Sequence, residues 1–447
     1  MSELPKGWAT FKLGDVARFI NGRAYKRFEM LDSGTPILRI QNLNGGDNWF
    51  YSDLELHDDK YCSKGDLLYA WSATFGPYWA RWDRAIYHYH IWKIEEKNGY
   101  YKSFAYYQLM HITEALKASS RGVTMPHITK SGMENWEVSI PPLPEQIRIA
   151  NKLDSILSKV DKAQARLNKI PAILKRFRQS VLAAATSGEL TQSGFTSSEW
   201  QSVKLIDLVE NKPRNGKSPK GVDFDTGIKN LTLSAITPGY FVENKYKFVD
   251  LDVPTDSHLW LKNQDILIQR ANSIEYVGVS ALYEGEDDQY IYPDLIMKCR
   301  SNARVLSKYL YYALSSEPVR KYFRDNATGT TGNMPKINQT VVSAAPINLP
   351  QIDEQKIIVN KVERLFKKAD KLEQQYLDAK ARLDRLTQSI LAKAFRGELV
   401  PQDPNDEPAE QLLERILKER LSQQQKADKP KKTANKRAIK TKVADKG

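Results

Sequence analysis

Three pairs of short polar segments hold the side chains of this sequence best suited to grip a phosphate backbone or the edge of a base. Asn21-Gly22-Arg23-Ala24-Tyr25-Lys26 corresponds to Asn215-Gly216-Lys217-Ser218-Pro219-Lys220, each an Asn-Gly turn followed by a basic residue and closed by a lysine. Glycine frees such a turn, and Arg23, Lys26, Lys217 and Lys220, with Tyr25 among them, are placed to reach phosphates or guanine edges. The second pair is Trp71-Ser72-Ala73-Thr74-Phe75-Gly76 and Gln269-Arg270-Ala271-Asn272-Ser273. Gln269, Arg270 and Asn272 can contact a base bidentately, whereas Ser72, Thr74 and Ser273 can do so only singly. The third pair spans residues 119–130 and 327–339 and presents Arg121, Thr124, His127, Thr328, Thr330, Thr331, Asn333 and Lys336. A plain solvated turn would use the same residue types, so the pairing of the segments carries more weight than any one side chain.

Catalytic patterns fail by contrast. Gly216-Lys217-Ser218 resembles the end of a phosphate-binding loop, but the glycine that should open it falls at Asn211. Pro293-Asp294 followed by Lys298 resembles part of a metal-dependent nuclease core, yet Ile296 stands where the second acid belongs. There is no Asp/Asn-Pro-Pro-aromatic tetrapeptide of the kind amino-methyltransferases use, and no nucleophile elbow. Cys62 and Cys299 are the only cysteines and have no ligand cluster nearby, so both are expected to be buried thiols, with no metal site. His88 and His90 alternate within a run of aromatics (Trp71, Tyr78, Trp79, Trp82, Tyr87, Tyr89, Trp92) that is expected to be core, on a single strand over residues 85–94.

The elements that must position these loops show up as an internal repeat. From Glu145-Gln146 to Gly188-Glu189-Leu190, the chain repeats without a gap from Glu354-Gln355 to Gly397-Glu398-Leu399, with 19 identities in 46 positions. Upstream, Met125-Pro126-His127-Ile128 keeps the same offset from Met334-Pro335-Lys336-Ile337, and Trp8 with Lys12-Leu13-Gly14-Asp15 matches Trp200 with Lys204-Leu205-Ile206-Asp207. The expected layout is globule (1–144), helical arm (145–190), globule (191–353), helical arm (354–400), then a short helix and disordered basic tail (401–447).

Each arm carries a heptad seam. In the first it runs through Ile149, Leu153, Ile156, Val160, Ala163, Leu167, Ile170, Leu174, Phe177 and Val181. In the second it runs through Ile358, Val362, Leu365, Ala369, Leu372, Tyr376, Ala379, Leu383, Leu386 and Ile390. An isolated seam leaves about 0.8 kcal/mol unrealised per exposed CH₂, so the two arms are expected to pair with each other, antiparallel. Pro171 should kink the first arm or divide it in two, whereas Lys380 leaves the second uninterrupted. Gly188 and Gly397 should end the helices.

The globules mix short strand-like runs (36–40, 66–71, 85–94, 265–269, 276–283) with helical stretches (103–118, 307–323). The expected class is α+β: two related α/β domains separated by two long helices that form an intramolecular antiparallel coiled coil. The net charge of +13 is less telling than its placement, since residues 426–447 hold nine basic and two acidic side chains, more than half of that excess. No stretch reaches the ~20 apolar residues of a membrane helix, and the opening lacks the pattern of a signal peptide, so a cytoplasmic protein without membrane contact is expected.

Ile170-Pro171-Ala172-Ile173-Leu174-Lys175-Arg176-Phe177-Arg178-Gln179-Ser180-Val181-Leu182-Ala183-Ala184-Ala185 resembles the central region of type I restriction-modification specificity subunits. Pro141-Pro142-Leu143-Pro144-Glu145-Gln146, the stretch from Ala392 to Leu399, and Glu407-Pro408-Ala409-Glu410-Gln411-Leu412 strengthen the resemblance. It implies a chain that reads one half of a split double-stranded DNA site with each globule. Two modification (methyltransferase) subunits and restriction (motor/nuclease) subunits would be its partners. It further implies no cofactor on this chain, with S-adenosylmethionine, ATP and Mg serving the partner subunits. A DNA-acting enzyme of unfamiliar type and a coiled-coil scaffold without sequence preference are the competing expectations.

Overall fold

The computed structural model describes residues 4–97, 99–119, 129–191, 200–329, 334–412, 414–416 and 418. The chain divides into two compact units, Met1–Ala165 with Lys380–Gly447, and Arg166–Ala379. Both boundaries fall inside the arms, so neither arm stands as a body of its own: each half-arm is part of the unit whose core it enters. The basic tail expected to be disordered lies outside the described residues.

In the first unit the strands are β1 (Ala9–Lys12), β2 (Ala17–Asn21), β3 (Thr35–Leu38), β4 (Phe50–Ser52), β5 (Tyr61–Cys62), β6 (Leu67–Ala70), β7 (Gly76–Trp79), β8 (Ala85–Tyr87), β9 (Ile91–Glu96) and β10 (Glu137–Ile140). Helix α1 (Lys102–Ser119) precedes β10, and α2 (Leu143–Leu167) follows it. One antiparallel sheet has the order β2-β9-β6-β7. Another has the order β4-β3-β8-β5, with β3 and β8 parallel. The pair β1-β10 joins the two ends of the globule. The single strand expected over residues 85–94 is therefore two strands in different sheets. The bond from Ile91 N to His88 O (2.9 Å) turns the chain between them, making His88-Tyr89-His90 a connection.

In the second unit the elements are α3 (Ile170–Ser187), β11 (Gln201–Lys204), β12 (Arg214–Asn215), β13 (Gly221–Val222), β14 (Lys229–Leu231), β15 (Tyr246–Val249), β16 (Ile266–Gln269), β17 (Ser280–Leu282) and β18 (Ile296–Cys299). After them come α4 (Ser307–Ser315), α5 (Glu317–Asp325), β19 (Pro346–Leu349) and α6 (Ile352–Phe395), the last running on into the first unit. The sheet β12-β18-β16-β17 repeats β2-β9-β6-β7, and β11-β19 repeats β1-β10, whereas a three-stranded sheet β13-β15-β14 stands where the first unit has its mixed sheet. The helix expected over residues 307–323 is divided at Ser316, because Pro318 in the first turn of α5 cannot donate the bond that would continue α4.

The arms enter the cores in opposite order. In the first unit Ile149, Leu153 and Leu157 of α2 share a buried cluster with Ile390, Leu391 and Ala394 of α6, against Phe104, Leu109 and Ile112 of α1. In the second, Val181, Leu182 and Ala185 of α3 share one with Ile358, Val359 and Val362 of α6. The start of each arm thus meets the end of the other, as antiparallel pairing requires. Pro171 sits in the first turn of α3 and divides the first arm, while α6 is continuous for 44 residues, about 66 Å at 1.5 Å per residue. Gly188 and Gly397 adopt φ of 86° and 75° just past the last helical turns, the left-handed region open to glycine.

Not every seam position is sealed. Phe177, Leu372 and Leu386 are 37%, 53% and 46% exposed, and Ile156, Val160, Leu167 and Leu365 are half-buried. Two helices alone cover only one side of a seam residue. Of the buried seam positions, Ile149, Leu153, Val181, Ile358, Val362 and Ile390 are also covered by a globule core, whereas Leu174 and Ala369 are buried without belonging to either cluster. This corrects the expectation of a uniform seam.

The repeated Glu-Gln pair fastens each arm to its globule. Trp8 Nε1 donates to Glu145 (3.2 Å) and Trp200 Nε1 to Glu354 (3.0 Å). Gln146 accepts from Tyr101 N and donates to Gly99 O and Pro141 O; Gln355 accepts from Leu306 N and donates to Arg304 O and Pro350 O. Each glutamine is fully buried, so its amide replaces the water that would otherwise satisfy those backbone groups.

Candidate nucleic-acid interface

In the first unit β2 ends at Asn21, and the following turn closes on the connection between β8 and β9. Gly22 N donates to Ile91 O (3.1 Å), Arg23 N to Tyr87 O (3.1 Å), and Tyr89 N to Arg23 O (3.0 Å). A Cβ on Gly22 would lie 2.3 Å from His88 O and 2.4 Å from Tyr87 O, so close approach demands glycine here. The Ser72–Thr74 loop joins the same connection, through Trp71 N to His90 O (3.1 Å) and Trp71 Nε1 to Tyr89 O (2.9 Å). Asn44 Nδ2 donates to Thr74 Oγ1 (3.1 Å), tying that loop down further.

Arg23 forms a bidentate pair with Glu29 (2.6 and 3.1 Å), and the guanidinium holds the Glu29 carboxyl below its usual range. Its charge is therefore already answered within the protein. Lys26 is exposed beside Phe28, itself 74% exposed. Burial pushes His88 down to about 4, with His90 and Arg39 adding to the effect, so the imidazole is neutral at neutral pH. Trp71, Tyr89 and His90 form a part-exposed aromatic group, with Trp71 5.1 Å from His90 and 6.2 Å from Tyr89 between ring centroids. Tyr87 and Trp92, by contrast, are core, as expected for the run as a whole.

The second unit builds the same frame. Gly216 N donates to Ile296 O (3.3 Å) and Lys217 N to Tyr292 O (3.0 Å), and a Cβ on Gly216 would fall 1.8 Å from Tyr292 O. Arg270 N donates to Leu295 O (2.8 Å), Ile337 N to Arg270 O (2.9 Å), and Asn272 N to Pro335 O (3.2 Å). Lys336 pairs with both Ala271 and Thr328. All three loop segments, so far as they are described, therefore meet where β18 begins, with Lys217, Lys220, Ser273, Thr328 and Lys336 exposed. Arg121, Thr124, His127, Thr330, Thr331 and Asn333 lie outside the described residues.

Two expected contacts are corrected. Tyr25 is 8% exposed and packs with Ile37 and Ile86, with the Arg23 guanidinium 5.3 Å from its ring centre; it is a core residue under the turn. Gln269 is fully buried in β16, 3.4 Å from Thr237 Oγ1. The register explains it: Gln269 pairs with Ile296 as Ala70 pairs with Ile91, so Trp71 corresponds to Arg270, one place later than the sequence alignment suggests.

Other residues of the site carried no sequence signal. Asn230, fully buried in β14, donates to Lys217 O (2.9 Å) and holds the basic turn from beneath. Glu29 neutralises Arg23, and Ser218 bonds Asp294. Asn230 and Ser218 bond partners 13 and 76 residues away, and Glu29 lies six residues from Arg23 in a pairing that no repeated motif marks. Lys298 does not complete a nuclease pair with Asp294: it is held by Asp265 (3.2 Å) and Trp260 O (2.6 Å). Cys62 and Cys299 are buried, and burial pushes both thiols up to about 12.

Residues 5–172 and 197–379 match the family described as the type I restriction modification DNA specificity domain. The chain belongs to this family. Among its relatives, the specificity subunit of the type I restriction enzyme EcoKI from Escherichia coli strain K12 is 30% identical, over 94% of this chain and 97% of that one. The StySPI specificity subunit from Salmonella potsdam is 31% identical, over 98% and 99%. Among solved structures, a chain from a study of complex assembly and conformational transition in a type I R-M system has a TM-score of 0.69 at 19% identity, covering 89% of this chain and all of that one. The HsdS subunit from Thermoanaerobacter tengcongensis has a TM-score of 0.52 at 18% identity, covering 89% and 98%. For this specificity-family chain, the two matched segments begin with the two globules and each runs on into the arm that follows.

Proposed function

We propose that this chain is the DNA-reading specificity subunit of a type I restriction-modification complex, in which each unit reads one half of a split, asymmetric site and the arms set the unread spacer. The observation that carries this reading is the repeated frame. Gly22 and Arg23 donate the same two backbone bonds to this connection as Gly216 and Lys217 do, while the side chains mounted on that frame differ between the units. A fixed backbone with exchanged side chains is what two different base sequences demand of two related readers.

The chain carries out no chemistry of its own in this reading. Two modification subunits dock on it, bringing S-adenosylmethionine and taking the flipped adenine into their own pockets. Restriction subunits, with ATP and Mg, join for cleavage, and the complex works in the cytoplasm. The commitment of Lys298 to Asp265 favours this over a nuclease centre on the chain itself.

The direct test removes one matched heptad from both arms and maps the sites methylated by the complex. The spacer length should change and both half-site sequences should stay; altered half-sites would overturn the division of labour. Incubated alone with DNA and methyl donor or magnesium, the purified chain should show no turnover. A complex that binds DNA with no sequence preference would leave the scaffold reading in its place.

A further inference from the structure

The connection between β18 and its preceding buried tyrosine contains one acid in otherwise basic surroundings. Tyr292-Pro293-Asp294-Leu295-Ile296 matches Tyr87-His88-Tyr89-His90-Ile91 in length and in backbone bonding, so Asp294 occupies the position of Tyr89. Ser218 Oγ donates to Asp294 Oδ1 and accepts from Asp294 N (3.2 Å). The second carboxylate oxygen has no hydrogen-bond or ion-pair partner among the described residues, although Lys217 and Lys220 flank Ser218 in the chain. The backbone on either side is pinned by Lys217 N to Tyr292 O and by Arg270 N to Leu295 O, so Asp294 lies between two of the candidate contact loops and is part-exposed.

A carboxylate facing the phosphate backbone would be repelled, and among the described residues Asp294 forms no ion pair that would account for it as a structural charge. Ionised aspartate offers only acceptors. In the major groove the edge of cytosine presents the N4 amino donor, whereas adenine sets its N7 acceptor beside its donor, and guanine and thymine present acceptors. We propose that Asp294 is a specificity-determining residue of the second unit that accepts a hydrogen bond from cytosine N4, with Ser218 positioning it. The proposal rests on the DNA-reading role above. Tyr89 in the same place of the first unit has no comparable acceptor, so the two heads differ in what this position can recognise.

The test uses the assembled complex of the full chain with its modification subunits, selected against a randomised pool of bipartite sites. With Asp294→Ala, discrimination for cytosine at one position of one half-site should fall roughly ten- to hundredfold, with the other half-site unchanged. Asp294→Asn keeps the shape and the Ser218 contact, and should admit adenine at that position, because an amide can pair with N6 and N7 together. Ser218→Ala should weaken the same preference and no other. Equal loss of affinity for every sequence, preferences intact, would overturn the proposal and make the pair a turn clasp, as would a half-site lacking cytosine or changes spread over both half-sites. If the unmodified complex selects no sequence at all, the recognition role itself fails, an outcome visible before any variant is tested.

Discussion

The two reading loops share a backbone and little else. Around Gly22 the first unit gathers neutral and aromatic groups, His88, Tyr89, His90 and Trp71, with its arginine tied to Glu29. Around Gly216 the second gathers exposed lysines, Arg270 and a carboxylate held by Ser218. The difference teaches that the glycine turn and its two bonds form the constant mount, and that the residues free to vary are those on the connection it grips.

The sharpest way to break this comparison is to attack the mount. Gly216→Ala places a Cβ 1.8 Å from Tyr292 O, a backbone atom that cannot swing aside, and Gly22→Ala meets His88 O at 2.3 Å. Each should cost about 3 kcal/mol, at the upper end for an overpacked site, and abolish recognition of its own half-site first. Thermal unfolding and site selection by the assembled complex check this. Equal tolerance of both substitutions would mean that the shared turn is not the common frame.

A second contrast concerns the buried glutamates that fasten the arms. Glu354 accepts from both Thr191 and Trp200 (2.5 and 3.0 Å), whereas among the described residues Glu145 accepts a side-chain bond from Trp8 alone (3.2 Å), and burial raises Glu145 to about 6. The folded state therefore takes up this proton more readily than the unfolded chain. Stability from this group is fully present below about pH 4.5 and declines as pH rises through 6, by about 2 kcal/mol in all. Glu145→Gln should remove that decline, which denaturant unfolding at pH 5 and pH 7.5 would show as a smaller difference between the two midpoints.

Smaller effects separate the basic residues. Lys217 is exposed and makes no side-chain ion pair among the described residues, so Lys217→Ala should lower the slope of log affinity against log salt by about 1. Arg23→Ala should change that slope less, because Glu29 already balances the charge. Equal slopes would show that Arg23 leaves Glu29 on binding. Least of all, Arg178→Ala removes ion pairs to Asp370 and Glu373, which are 67% and 49% exposed, and should cost under about 1 kcal/mol in unfolding experiments.

Much of this could be read without a structure because it depends on local order in the chain. The 46-residue repeat, the heptad spacing, Pro171 as a break and Gly188 and Gly397 as stops each follow from the steric and hydrogen-bonding rules of consecutive residues. The Asn-Gly-basic turns were legible for the same reason. What the sequence left unsettled depends on partners distant along the chain: that residues 85–94 pass between two sheets, that Tyr25 and Gln269 face inward, that Trp71 answers to Arg270, and that Asn230 and Ser218 hold the loops. Inward and outward faces of a strand alternate at each residue, so a one-place shift in pairing reverses every assignment, and only the folded sheet fixes that register.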